Sequence, residues 1–179
     1  MKRLLRLLAY LALIAALGLL TASLFMPPER VSLPPPPPLS GEVERIVIEK
    51  AARRMQLFQN GKPVRTYKIA LGFAPEGDKD RQGDGKTPEG TFTIDRRNAE
   101  SAFRLSLGLD YPHPEDRARA AKGGYSPGGD IFIHGQPNAL PEGFRLKGDW
   151  TAGCIALTNT EIREVWAMTP IGTEVEIRP

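Results

Sequence analysis

Residues 130–159 read DIFIHGQPNALPEGFRLKGDWTAGCIALTN, and two features of this stretch determine the expected fold and chemistry. An apolar run at 131–133 leads into His134 and a glycine, which is typical of a short buried strand that ends in a loop. A turn of small residues at 151–153 then precedes Cys154. We therefore expect a strand to position an imidazole and a tight turn to present a thiol.

Cys154 is the one cysteine of the chain, so its thiol has no internal disulfide partner. A thiolate is a strong nucleophile, and an imidazole such as that of His134 can generate it near neutral pH. Gly153 permits a tight turn in which its own N–H and that of Cys154 form an oxyanion hole. A backbone carbonyl near Gly135 is the expected partner that orients the imidazole. The alternative is a buried cysteine acting as a small hydrophobe beside a hydrogen-bonded histidine.

Composition argues against metal and nucleic-acid binding. One cysteine and two histidines make a poor ligand set for structural zinc, so no metal or other cofactor is expected. The three basic residues Lys2, Arg3 and Arg6 account for the formal net charge of +3. The remainder is formally neutral, so it lacks the basic footprint of a nucleic-acid-binding domain.

The first 26 residues have the pattern of a signal sequence or membrane anchor. A basic beginning is followed by an uncharged, apolar run from residue 7 to residue 26, long enough to span a bilayer as a helix. The basic residues predict a cytoplasmic N-terminus, with the rest exported to the periplasmic side of the cell envelope. Residues 27–40 are rich in proline and predict an extended linker, followed by one folded domain over 41–179.

The pattern within 41–179 predicts a mainly β domain with two short helices. Strands are expected over 43–49, on both sides of the Asn60-Gly61 turn, over 90–95, from Phe103 to Leu109, over 131–134 and over 173–178. A helix is expected from Pro114, and a capping box at Thr158 predicts a second. In that second helix Ile162, Val165 and Trp166 are expected to face the core.

The spacing of the candidate residues resembles the active-site signature of the L,D-transpeptidase catalytic domain (the YkuD-like family). That signature is a His, fourteen to seventeen residues, then Ser/Thr-His-Gly-Cys with an Asn shortly after. Here sixteen residues separate His134 from the segment 151–154, and Asn159 follows Cys154 by five positions. The segment Gly85–Gly90 (GKTPEG) resembles another element of the family. The resemblance spans roughly residues 43–178.

The resemblance implies a sandwich-like β domain and a peptidoglycan L,D-transpeptidase that acts in cell-wall organisation and cell shape. Cys154 would form a thioester with a stem peptide, with His134 as the base, and pass it to an amine of a second stem peptide or a lipoprotein. Asp149, Trp150, Thr151 and Asn159 are candidates for the substrate groove, and core packing is the alternative for Trp150.

Two positions depart from the family pattern. Ala152 stands where the family has a second His, and Ala156 stands where an Arg is frequent. These changes leave open whether the acceptor is an amine or water, and Ala before Gly-Cys resembles a hydrolytic branch that releases wall-bound lipoprotein. The remaining alternative is a catalytically inactive peptidoglycan-binding module, which would have no thiol of lowered pKa.

Overall fold

The computed structural model describes residues 40–179, which are mainly β. The expected signal or anchor over 1–26 and the proline-rich segment up to residue 39 lie outside the described residues. Between residues 40 and 179, no helix is long and apolar enough to cross a bilayer. The strands are β1 (Arg45–Glu49), β2 (Arg54–Gln59), β3 (Lys62–Lys68), β4 (Gly90–Asn98), β5 (Ser106–Leu109), β6 (Phe132–His134), β7 (Ile155–Ala156) and β8 (Glu174–Arg178). The helices are α1 (Pro114–Gly123) and α2 (Asn159–Met168).

The strands form one continuous sheet in the order β3-β2-β1-β8-β4-β5-β6-β7. The pairs β1–β8 and β6–β7 are parallel, and the others are antiparallel. Strand β4 belongs to both halves, because residues 90–93 pair with β8 while residues 94–98 pair with β5. A register shift between Ile94 and Arg96 marks the change of partner, and such an irregularity bends a strand. The sandwich expected from the resemblance is therefore one curled sheet.

The two edges of this sheet meet. The N–H of Ala70 donates to the carbonyl of Ala156 at 3.0 Å, and the N–H of Ala156 donates to the carbonyl of Ala70 at 2.8 Å. The N–H of Phe73 then donates to the carbonyl of Thr151 at 2.9 Å. The chain that leaves β3 at one edge thus pairs with β7 at the other, and its backbone groups are satisfied there.

Local signals in the sequence are confirmed where they concern turns and caps. Asn60 and Gly61 join β2 to β3 with φ angles of 51° and 70°, and a two-residue turn of this kind requires both angles to be positive. The Thr158 side chain accepts the N–H of Glu161, and the Glu161 carboxylate accepts the N–H of Thr158, which starts α2 with the predicted capping box.

The core contains the residues that the alternation indicated. Ile46 and Ile48 of β1, expected on one face, are fully buried beside their register partners Val175 and Ile177 of β8. In α2, Ile162 and Val165 are fully buried, as predicted. Trp166 is partly buried and packs against the core, as expected, while the Arg97 guanidinium covers its ring at 4.0 Å from the ring centroid.

Two strand predictions need correction. Strand β5 begins at Ser106, so Phe103 and Leu105 precede it and lie in a turn instead of continuing the strand. Strand β7 was not predicted, because its two residues are too few to show a period. Both differences concern segments next to His134 and Cys154.

A buried lysine fixes the long loop between β3 and β4. Lys50 is 2% exposed, and its ammonium donates to the Gly77 carbonyl at 2.6 Å, the Thr87 carbonyl at 2.8 Å and the Glu89 carboxylate at 2.8 Å. All three of its donors are therefore used. The Thr87 hydroxyl in turn accepts the N–H of Gly72 at 3.1 Å. The loop is held against the end of β1 by charge and hydrogen bonds together.

Replacing Lys50 with Met should destabilise the fold by about 3 kcal/mol, because the Glu89 carboxylate and two carbonyls lose their donor in a partly dehydrated place. Urea unfolding followed by circular dichroism measures the change. Lys62→Met, at the exposed start of β3, is the matched control and should change stability by less than about 0.5 kcal/mol. Equal effects of the two substitutions would contradict this role of Lys50.

Candidate active site

Strands β6 and β7 bring the segments that carry the candidate nucleophile and base next to each other. Their parallel register pairs Ile133 with Ile155 and His134 with Ala156. Cys154 lies two residues before Ala156, and alternate residues of a strand share a face. If this alternation is continued back from β7 to Cys154, which precedes the strand, the thiol is expected on the face that His134 occupies, although sixteen residues separate His134 from the cysteine turn. The hydrogen bonds of the two side chains go to different carbonyls, those of Asp130 and Gly135.

The turn before Cys154 is held by the Thr151 side chain. The Thr151 hydroxyl donates to the Cys154 carbonyl at 2.7 Å and accepts the N–H of Gly153 at 3.1 Å. Gly153 has φ +140°, and a Cβ at this position would lie 2.7 Å from the Lys86 carbonyl oxygen, so a glycine is required. Of the two N–H groups expected to form an oxyanion hole, that of Gly153 is therefore already engaged.

His134 is held by main-chain groups and by aromatic rings. It is 4% exposed, and its Nδ1 lies 2.7 Å from the carbonyl oxygen of Gly135. Since a carbonyl can only accept, Nδ1 carries the proton and Nε2 keeps its lone pair. The Phe103 ring lies 4.6 Å from the imidazole and the Trp150 ring lies 5.8 Å from it, both measured between centroids. These contacts limit rotation of the imidazole.

Burial favours the neutral forms of both groups. Desolvation raises the pKa of the Cys154 thiol, with the Asp130 charge acting in the same direction and a hydrogen bond from the Phe132 backbone opposing it. Desolvation lowers the pKa of His134, against the hydrogen bond to the Gly135 carbonyl. The thiol donates to the carbonyl of Asp130, with 3.4 Å between Sγ and O. A raised thiol pKa and a lowered imidazole pKa are the opposite of what a preformed thiolate–imidazolium pair requires. The pKa of the resting thiol therefore does not separate an enzyme from the inactive wall-binding module, and only turnover does.

A cavity of about 640 Å³ opens at the thiol. Cys154 and Ala152 form one wall, and residues of the β3–β4 loop and of the segment 126–131 form the others. In the loop, Lys79 is 3% exposed and donates to the Asp84 carboxylate at 2.7 Å. Burial opposes ionisation of Asp84, but the bond from Lys79 and three backbone N–H groups lower its pKa to about 2. This ion pair and the backbone hydrogen bonds to Asp84 join the parts of the loop that carry Lys79 and Lys86.

The four candidates for the substrate groove have different surroundings. The Asp149 carboxylate accepts the N–H of Leu71 at 2.9 Å and pairs with Arg53 at 2.8 Å. Trp150 is partly buried, and its indole Nε1–H is buried without a hydrogen-bond partner among residues 40–179. Thr151 is buried within the cysteine turn described above. Trp150 is therefore the candidate whose hydrogen-bonding capacity is unused.

Asn159, the fourth candidate, lies under the backbone that follows His134. It is 3% exposed, and its carboxamide oxygen accepts the N–H of Gln136 at 2.8 Å. A Cβ at Gly135 would lie 2.6 Å from this oxygen, so the contact requires glycine at position 135. Asn159 thus supports the segment that orients the imidazole and does not line the cavity at Cys154.

The sequence did not indicate two groups that contact His134 or Cys154 in the structure. Phe103, expected within a strand, instead packs on the imidazole. The Asp130 carbonyl accepts from the thiol, and Asp130 has a positive φ of 55°, which no pattern in the sequence indicates. Among residues 40–179 no group of three or more His, Cys, Asp or Glu side chains could hold a metal ion.

Alkylation of Cys154 by iodoacetamide should have a pH midpoint above about 8.5, the value of a free thiol, because burial disfavours the thiolate. The chain has one cysteine, so the labelling rate followed by mass spectrometry reports this thiol alone. N-acetylcysteine measured in parallel is the reference. A midpoint below pH 7 would show a preformed thiolate and contradict the neutral resting state.

Stability should fall as the pH drops from about 7 towards 5, because unfolded His134 takes up a proton below about 6.5 while the buried imidazole resists it. The pKa of the folded state is lowered, so the stabilising effect is present above this window and is lost below it. Urea unfolding at several pH values should show a shallower dependence for His134→Gln. The two proteins share His113, so their difference isolates His134, and equal slopes would contradict the assignment.

Comparison with known proteins identifies the family. A family model of the L,D-transpeptidase catalytic domain (YkuD) matches residues 43–177. YafK of Escherichia coli (strain K12), whose name assigns it provisionally to the L,D-transpeptidases, is 28% identical over 134 residues. The alignment covers 72% of this chain and 48% of YafK, so the chain spans about half the length of the curated relatives it matches.

Solved structures share the fold. The helical cell shape determining protein Pgp2 from Campylobacter jejuni aligns with a TM-score of 0.60 and 27% identity, over 78% of this chain and 48% of that one. The Enterococcus faecium L,D-transpeptidase aligns with a TM-score of 0.51 over 77% of this chain and 50% of that one, and at 15% identity it shows the fold alone. Since the family model covers most of the sequence, the chain belongs to the L,D-transpeptidase catalytic domain family.

Proposed function

We propose that this chain is a peptidoglycan L,D-transpeptidase in which Cys154 is the nucleophile and His134 is the base. The observation that supports the proposal is the register of β6 with β7, which pairs His134 with Ala156, two residues after Cys154. A cavity of about 640 Å³ opens at the thiol. The Gly135 carbonyl, 2.7 Å from Nδ1, leaves Nε2 of His134 as the proton acceptor. No metal or organic cofactor takes part in the proposed steps.

In the first step Cys154 Sγ attacks the carbonyl of the third stem residue, at the L-centre of diaminopimelate. The thiol proton passes to Nε2 of His134, and the tetrahedral intermediate collapses to a thioester. The proton then moves from Nε2 to the departing amine of the terminal D-residue. In the second step an amine attacks the thioester, which forms the new amide and returns the proton to the sulfur.

The neutral resting state sets the timing of proton transfer. Because burial raises the pKa of Cys154 and lowers that of His134, the thiol stays protonated until a carbonyl is close enough to be attacked. His134 then acts as a general base in the transition state, and no thiolate–imidazolium ion pair is needed before the substrate binds. The Cys154 N–H remains the main-chain donor proposed for the oxyanion, since the N–H of Gly153 is used by Thr151.

A second candidate function is hydrolysis of the thioester, and the alanine at position 152 favours it. Ala152 lines the cavity with Cys154 and is exposed, so the position that carries a His in the family offers no group to bind an acceptor amine. Water would then take the acyl group, and the products would be shortened stem peptides or a released lipoprotein. Ala156 is fully buried and paired with Ala70, which leaves no space for an arginine there.

The proposed place of action is the cell envelope, on the periplasmic side. The basic and apolar residues at 1–26 support export, and the proline-rich linker would hold the domain between membrane and wall. The name of Pgp2, a helical cell shape determining protein, supports a role in cell-wall organisation. The proposed substrate is the peptidoglycan stem peptide, with a second stem peptide or a lipoprotein amine as acceptor.

Incubation of the chain with defined muropeptides, followed by mass spectrometry, tests the proposal. A transpeptidase should form crosslinked tetrapeptide dimers or exchange the terminal D-residue. Cys154→Ala should abolish product, and His134→Gln should lower the rate by at least about a hundredfold, the usual contribution of a general base. Lys62→Gln, at the exposed start of β3, is the control and should retain the rate.

Two other results are informative. Shortened or released peptides without crosslinks, dependent on Cys154, would assign the hydrolytic alternative. Binding of muropeptides with no Cys154-dependent product would contradict catalysis and leave a wall-binding module.

A further inference from the structure

A second cavity, of about 480 Å³, is lined by residues from the segment between His134 and Cys154 and from the chain around the end of β3. Gln136, two residues after His134, and Asp149, next to Trp150, form part of its lining. Four basic side chains complete the wall, and we call this space the basic cavity: Arg53, Lys68, Arg145 and Lys147. It is distinct from the cavity at Cys154, because the two have no lining residue in common.

The basic cavity carries an excess of positive charge. Asp149 is the acidic residue among its lining residues, and it is already neutralised by Arg53 at 2.8 Å. Arg145 is paired with Glu161 at 2.7 Å. The ammonium groups of Lys68 and Lys147, both on exposed residues, make no ion pair or hydrogen bond within residues 40–179. Two cations are thus unneutralised at one concave surface.

The walls of the basic cavity are fixed in place. Gln136 is 1% exposed, donates to the Leu157 carbonyl at 2.5 Å and accepts the N–H of Leu146 at 3.0 Å. Arg145 donates to the Lys68 carbonyl at 2.7 Å, which ties the segment that follows His134 to β3. A site held by buried polar contacts needs little reorganisation when it binds a ligand.

We propose that the basic cavity is a carboxylate-binding subsite for the wall peptide, a proposal that rests on the proposed function. Stem peptides carry free carboxylates, and a lysine ammonium is a point charge suited to them. The volume is enough for a short peptide segment that carries a carboxylate. The domain as a whole has no net charge that would attract a polyanion. Lys68 and Lys147 bind the carboxylate, while the reacting carbonyl lies at Cys154.

Calorimetric titration of a stem tetrapeptide tests the subsite directly. The chain carries Cys154→Ala in every arm, so that binding is measured without turnover. The double variant Lys68→Gln/Lys147→Gln should bind the tetrapeptide about tenfold more weakly, because the free energies of two partly exposed ion pairs add up to about this factor. The control is the double variant Lys62→Gln/Lys122→Gln, which removes the same amount of charge from exposed positions outside the basic cavity. It should change the affinity by less than about twofold. Equal losses in both double variants would overturn the proposal.

An amidated form of the tetrapeptide tests whether the group bound in the basic cavity is a carboxylate. The same tetrapeptide with amidated carboxylates should bind the parent protein about tenfold more weakly and be indifferent to the Lys68 and Lys147 substitutions. Unchanged binding after amidation would overturn the assignment of a carboxylate. Inorganic phosphate at equal concentration should not displace the tetrapeptide, and its displacement would indicate an unselective anion site and overturn the peptide assignment.

Turnover separates this subsite from the proposed function. With Cys154 restored, the Lys68 and Lys147 substitutions should raise KM by a similar factor and leave kcat unchanged, as expected for uniform binding. If the parent protein binds the tetrapeptide through these lysines but forms no product, the subsite stands and the proposed function fails. If product forms with an unchanged KM in the double variant, the subsite fails and the proposed function stands.

Discussion

The pairing of Ala70 with Ala156 is the constraint on which the site depends. Two main-chain hydrogen bonds join the chain leaving β3 to the two-residue strand β7, and β7 pairs in parallel with β6. A strand as short as β7 gains stability mainly from its neighbours, because each residue contributes few contacts of its own. Ala156 is fully buried at this junction, so a small side chain is required. The position of Cys154, two residues earlier, follows from that pairing.

Two buried lysines also hold the β3–β4 loop next to the site. Lys50 and Lys79 are almost fully buried, and each ammonium is matched by acceptors within or beside the β3–β4 loop. A buried charge without partners is costly, so these lysines hold the loop in one arrangement. The loop then supplies the Lys86 carbonyl that packs against Gly153. The buried lysines thus hold the loop whose Lys86 carbonyl lies close to Gly153, the residue before the thiol.

Aromatic rings and burial define the environment of His134 and Cys154. His134 is enclosed by Phe103 and Trp150, and its hydrogen bond to Gly135 sets the tautomer. Burial keeps both members of the pair neutral, so the proposed chemistry begins with proton transfer in the presence of substrate. The basic cavity, by contrast, contains two lysines that have no partner among residues 40–179. The proposed carboxylate recognition and the proposed reaction thus use separate cavities.

Local chemistry in the sequence determined the elements whose causes lie within a few residues. The Asn60-Gly61 turn needs positive φ angles, and the capping box at Thr158 needs only the next three residues. The spacing of His134 and Cys154 identified the family, because the same residue types recur in its signature. Tertiary structure alone decided the single curled sheet in place of a sandwich and the contact of Phe103 with the imidazole. It also decided the direction in which burial shifts the pKa of the thiol. These features arise from residues far apart in the chain, whose mutual burial and hydrogen bonding no local pattern encodes.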